Sequence, residues 1–145
     1  MNRCYCAAVL SILLVGCNGA TDPANVAGFY VLTTVDSLAV PRLMNATNTC
    51  DELVLRGGLR LATNSSFDLS ITQLQDCTRA GGTADTFTAV TSGDFSVDHT
   101  NLILHPAGTT VGLSGMAPGG AIQLQLPQLP LIAGSHSGTF VVFPQ

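Results

Sequence analysis

The sequence predicts an all-β fold: an antiparallel up-and-down meander of about eight strands closed into a small barrel, with a two-layer β-sandwich as the competing arrangement. Three observations carry this expectation. From Val26 onward apolar and polar residues alternate with period two, and Gly, Pro, Asn, Asp and Ser interrupt the alternation at short intervals. No stretch of that region shows a convincing helical period. Only 10% of the 145 residues are charged, and the chain is rich in Thr, Ser and Gly, which suits a packed sheet better than a helical bundle or a disordered tail.

Residues 28–35, a β-branched and aromatic run, make the first strand. It turns at Asp36-Ser37 into residues 38–43, where Pro41 has no N–H for a ladder and marks an edge or a break. Residues 45–49 are polar and read as a loop. The strongest hairpin follows, with Leu53, Leu55, Leu59 and Leu61 expected on one face, Val54, Arg56 and Arg60 on the other, and a bulge or bend at Gly57-Gly58. Its return strand puts Phe67, Leu69 and Ile71 on one face and Asp68, Ser70 and Thr72 on the other. Residues 79–84 form a Gly-rich loop, residues 85–91 resume the sheet, and 93–97 and 101–105 pair around a short turn. Next come residues 109–114, with Val111 and Leu113 on one face, and 121–126, where Ile122, Leu124 and Leu126 alternate with glutamines. Pro127 and Pro130 end pairing, residues 128–137 leave room for a short helix that no periodicity supports, and 138–143 supply the last strand.

Ahead of this domain stands a different kind of sequence. Arg3 precedes an apolar run, residues 7–15, that is of signal-peptide length and too short to span a bilayer. The run ends in Leu14-Val15-Gly16-Cys17, which resembles the lipobox of bacterial lipoproteins. The resemblance implies a lipoprotein signal peptide over residues 1–16, a lipidated Cys17, a tether over 17–25 and a barrel domain over 26–145. It places the protein in the bacterial cell envelope, held to the membrane by the lipid on Cys17. Asn18, rather than Asp, after that cysteine points to the outer membrane or the cell surface. Residues 18–25 reach only about 25 to 30 Å at full extension, so the domain is expected close to the membrane. The chain carries a formal charge of −4 and loses Arg3 on cleavage, so nucleic acid is excluded as a partner on electrostatic grounds.

Beyond the tether, the order of pieces is similar to the lipocalin-like domains of bacterial lipoproteins. The matching pieces are Gly28-Phe29-Tyr30, the Thr-Val-Asp-Ser-Leu-Ala-Val-Pro run at 34–41, residues 59–67, residues 92–102 and the terminal run 138–143. Tyr30 stands where lipocalins carry the Trp of their opening Gly-x-Trp, and the last strand lacks the Arg that usually covers it. The resemblance implies a closed barrel with room for an apolar guest.

Cys50 and Cys77 are the cysteines left once Cys4 and Cys6 depart with the signal peptide and Cys17 carries lipid, and they flank the strongest hairpin. Antiparallel pairing brings them together and the envelope permits disulfides, so a Cys50–Cys77 bridge is expected in preference to two free thiols. Two thiolates without a nearby His leave a zinc site incomplete. Asp94, Asp98, His99 and His105 could converge near one turn, but without distinctive ligand spacing they read as a solvated bend. In Ser135-His136-Ser137, neighbouring strand residues point to opposite faces, so adjacency makes no catalytic pair. Arg56 and Arg60 read as solubilising charges on an outer face. The pairs Gly57-Gly58, Gly81-Gly82 and Gly119-Gly120 open no helix and make no phosphate loop. The expected function is therefore a lipid-anchored envelope protein without catalysis, metal or cofactor, which holds a small apolar ligand inside the barrel. The alternative is a protein-interaction or inhibitor module with a packed, ligand-free barrel and an envelope protein as its partner.

Overall fold

In the computed structural model, which describes residues 23–143, ten strands follow in chain order. They are β1 (Gly28–Val35), β2 (Leu38–Ala39), β3 (Arg42–Ala46), β4 (Asp51–Leu61), β5 (Ser66–Asp76), β6 (Ala84–Asp98), β7 (Asn101–Pro106), β8 (Leu113–Met116), β9 (Ala121–Gln125) and β10 (Ser137–Val142). Single 3-10 turns at Pro23–Asn25 and Thr78–Ala80 are the helical elements among the described residues. Each strand from β3 to β10 pairs antiparallel with the next, β10 pairs with β1, and β1 pairs with β4. Eight strands, β1 and β4 to β10, thus close a barrel of the lipocalin-like kind, and closure decides against the sandwich.

Strand β1 changes neighbours along its length. Gly28 to Val31 lie against Leu61 to Gly58 of β4, whereas Thr34 and Val35 lie against Ala39 and Leu38 of β2. On the far side of the gap, β3 pairs with the first residues of β4. Strands β2 and β3, joined through the cis Val40–Pro41 peptide, are therefore one broken strand wedged between β1 and β4 at one end of the barrel.

The glycine pair expected to bend β4 does something else. The bulge falls between Val54 and Arg56, one turn of the pleat earlier, and it swaps the expected faces: Val54 is fully buried while Leu53 is only half-buried. Gly57 and Gly58 instead make the closing seam. A Cβ on Gly57 would stand 2.8 Å from Ile71 Cδ1 and 3.1 Å from Leu32 Cβ, and one on Gly58 would stand 3.2 Å from the Phe29 ring. The missing side chains let β1 approach β4 from inside and outside at once.

Inward residues from every closing strand except β8 are buried in one core, including Leu32, Leu59, Phe67, Ile71, Leu104, Leu124 and Phe140, each at most 1% exposed. The two ends of the barrel differ. At the foot, short turns follow β4, β6 and β8, and the chain enters beneath Tyr30, whose hydroxyl donates to Val26 O at 2.6 Å. Tyr30 is buried, and desolvation pushes its hydroxyl pKa up. At the mouth, the strap between β9 and β10 folds back over the interior and buries Leu126, Leu129 and Ile132. This strap is no helix. Pro127 and Pro130 break its ladder, and its apolar residues close the barrel instead.

Two further expectations need correction. Residues 84–98 form one continuous strand, with no break at Ser92, because β5 pairs with residues 84–94 and β7 takes over from Gly93. Residues 109–112 are not strand, and Val111 is 74% exposed instead of joining Leu113 against the core.

Candidate functional site

The charged and cross-linked part of the mouth lies on β4 and β5. Cys50 and Cys77 form the expected disulfide, closing the hairpin one position beyond the Asp51–Asp76 pair. That register sets two carboxylates side by side. Arg79, carried on the turn after Cys77, forms an ion pair with Asp51 and reaches Thr47 O at 3.4 Å. Asp76 accepts from the Thr78 hydroxyl at 2.6 Å and the Thr78 N–H at 3.0 Å, and these bonds hold its carboxyl below the usual carboxylate range. The cluster can hold a hairpin end together; it presents no free nucleophile.

The strap is fastened at two points. Gln73 continues the inward series of Phe67, Leu69 and Ile71 and is fully buried, and its Oε1 accepts the Leu131 N–H at 3.3 Å. Sequence reasoning missed Gln73, although its place two residues beyond Ile71 in the period-two pattern was the available signal. The second point is Asp36. It sits with Ser37 in a two-residue turn, both at positive φ (48° and 68°), as a primed hairpin turn requires. The turn aims the Asp36 carboxylate at the strap, where Oδ2 lies 2.8 Å from His136 Nδ1 and Oδ1 accepts the Ser137 N–H at 3.0 Å. Burial pushes the Asp36 carboxyl up, but the Ser137 and His136 hydrogen bonds and the nearby imidazole outweigh it, so the net shift is downward.

Asp36, His136 and the flanking serines do not assemble hydrolase geometry. His136 Nε2 lies 3.2 Å from the Ala133 carbonyl oxygen, so the imidazole bridges carboxylate and backbone instead of facing a hydroxyl. Asp36, His136 and Ser137 form a latch between the β1–β2 turn and the end of the strap.

Beside the latch, the barrel wall opens. Strands β8 and β9 share only two register pairs, Gly115 with Leu124 and Met116 with Gln123. Toward the mouth they separate, and a surface groove of about 540 Å³ lies over the seam, lined by Asn101, Ser114, Met116, Gln123, Gln125 and His136, with Asp36 at its rim. A second groove of about 360 Å³ follows the split between Gly112-Leu113 and residues 125–128. Both are open troughs on the outside of the wall. Their lining offers amides, hydroxyls and the His136 imidazole, with the Asp36 carboxylate as the one formal charge, and the amides and hydroxyls can hydrogen-bond an extended chain.

This wall is unusual in charge. Residues 101–145 contain no Asp, Glu, Lys or Arg, and neither does β1. Strands β7, β8, β9, β10 and β1 are neighbours in the barrel, so five consecutive strands carry no formally charged side chain. The tract was visible in the sequence, but only closure sets β1 beside it.

The remaining candidates assemble no site, and Asp94 and His105 are exposed register partners on β6 and β7. Asp98 and His99 pair with each other at 2.6 Å on an exposed turn, and His105 Nε2 lies 3.3 Å from Ser96 Oγ. No group of three His, Cys, Asp or Glu side chains suited to a metal occurs among the described residues. Arg56 and Arg60 are exposed on the outer face of β4, with Arg60 3.6 Å from Asp68. Cys17, the signal peptide and most of the tether lie outside the described residues. No helix among the described residues is long and apolar enough to cross a membrane. Comparisons with protein-family models, curated proteins and solved structures found no match.

Proposed function

We propose that this protein is a lipid-anchored, non-catalytic component of the bacterial envelope whose barrel serves as an interaction module. It receives an extended, uncharged segment of a partner protein along the split between β8 and β9. The observation that carries this reading is the two-pair ladder at that seam, flanked by open polar grooves on strands without formal charge, with Asp36 of the β1–β2 turn the one charged group in their lining. A sheet that stops pairing leaves backbone donors and acceptors for an added strand. The core supports the same choice, because side chains of the barrel and the strap occupy its interior. An apolar guest inside would have to displace Leu126, Leu129 and Ile132 from the mouth. The test is a photo-crosslinking amino acid placed at Gln123 in the groove or at Val90, 70% exposed on β6, in intact cells. Adducts from Gln123 and none from Val90 are expected. Equal labelling, or labelling from Val90 alone, would contradict the assignment.

A further inference from the structure

We infer that the edge of the barrel formed by Phe29, Val141 and Phe143 rests in the headgroup layer of the anchoring bilayer and fixes the orientation of the domain. Three of the six phenylalanines, Phe67, Phe95 and Phe140, are buried in the core. Two of the others meet outside, at the foot: Phe29 is 43% exposed and Phe143 54%, with ring centroids 6.3 Å apart in an edge-to-face contact. The Phe143 N–H donates to Phe29 O at 2.8 Å, so the pair is held by the sheet and not by a loose terminus. Val141, 41% exposed, stands across from Val31 on the same outer face, and Gly58 gives the Phe29 ring a flat seat. Exposed aromatics clustered on a rigid edge mark a contact surface.

The position of the chain identifies the occupant. Val26 N bonds Pro23 O at 3.2 Å, so the described chain begins in a folded turn at the foot, six residues before Phe29 and in contact with β6. Five residues, 18–22, lie between Cys17 and Pro23, and they span at most about 20 Å. The headgroup layer on each side of a bilayer is roughly 5 to 8 Å deep. A lipid on Cys17 therefore holds the foot within reach of that layer, and aromatic side chains there exchange water for the acyl boundary. Strands β1 and β10 carry no charge, and Arg60, the register partner of Phe29 on β4, lies 3.6 Å from Asp68. The contact is thus apolar and does not need anionic lipid. The inference rests on the lipid-anchor reading above.

The chain has no Trp, so Phe143→Trp, with Phe29→Trp as a second reporter on another strand, gives a single fluorophore at the edge. Val111→Trp, near the mouth, is the control. The full lipidated chain is reconstituted in phosphatidylcholine vesicles and in phosphatidylcholine–phosphatidylglycerol vesicles, each with and without bromine on the acyl chains. Blue-shifted emission that brominated lipid quenches is expected for the edge reporters in both compositions, with the Val111→Trp emission unchanged. Vesicle-bound protein whose edge reporters are not quenched overturns the inference and leaves the anchor standing. So does an edge shielded from acrylamide but not quenched by lipid, which assigns the surface to a second copy or a protein partner. Quenching confined to anionic vesicles, or equal quenching of Val111→Trp, also overturns it. A chain that fails to float with vesicles overturns the anchor and this inference together.

Discussion

The two halves of the barrel wall are built differently. Strands β4, β5 and β6 run for 11, 11 and 15 residues, pair along nearly their whole lengths and carry most of the formal charges, and a disulfide closes the β4–β5 hairpin. Strands β7 to β10 run for only four to six residues, carry no formal charge, and are interrupted by the split seam and the strap. Long hairpins with charged outer faces resist stray edge pairing and stay solvated. Short uncharged strands with an open seam have neither protection, which suits a surface meant to be covered. In the function proposed above, the same closed sheet holds a scaffold on one side and a contact surface on the other.

The comparison breaks first if the halves do not share one core. Phe67→Ala on β5 and Phe140→Ala on β10 remove equally buried rings, and each is expected to cost about 3 to 5 kcal/mol in urea unfolding. A much smaller loss for Phe140→Ala would mean that the short-stranded half yields independently. Next in size is the disulfide, whose cysteines are 27 residues apart. In the chain-entropy model its removal by a double Cys→Ser change costs about 3.5 kcal/mol. Thiol labelling of the unreduced protein should find Cys50 and Cys77 unreactive; full labelling without reductant rules out the bridge.

A smaller effect separates the latch from the scaffold by pH. The carboxyls of Asp36 and Asp76 both lie below their usual range when folded. A depressed folded pKa means that each contribution is fully present above about pH 4 and is lost as pH falls through the folded value. Stability differences between the wild type and either Asp36→Asn or Asp76→Asn should therefore be flat near neutrality and shrink in acid. Only Asp36→Asn should also speed hydrogen exchange of the Leu131 and Ser137 amides, since it alone loosens the strap. Unchanged exchange there would remove the latch from the account. The smallest effect is expected from Arg60→Ala, because its pair with Asp68 is exposed on both sides and is worth under about 1 kcal/mol.

Much of the scaffold half was readable from residues alone. Alternation located β1, β4 and β5 within a few positions, and the cysteines flanking one hairpin disclosed their own pairing. What escaped was set by contacts between distant segments. The swap of Leu53 and Val54 depends on a bulge that appears only when β4 is registered against β5. Gly57-Gly58 is a seam because β1 returns to it from more than twenty residues earlier, and no local pattern states that. The strap carries no period because it is neither helix nor strand, and Asp36 becomes a latch residue only through a partner 100 positions away. The uncharged wall was half legible: the tract from residue 101 onward stands in the sequence, but only barrel closure sets β1 beside it.

The central claim, that the barrel is filled by its own residues and works through its outer wall, is tested most directly by native mass spectrometry of the lipidated protein extracted gently from membranes. The account predicts the mass of one chain plus its own lipid modification, with no tight guest and no uptake of a fluorescent fatty acid on titration. A stoichiometric apolar molecule that survives extraction, or saturable uptake of the fatty acid that quickens when Asp36→Asn frees the strap, would contradict it.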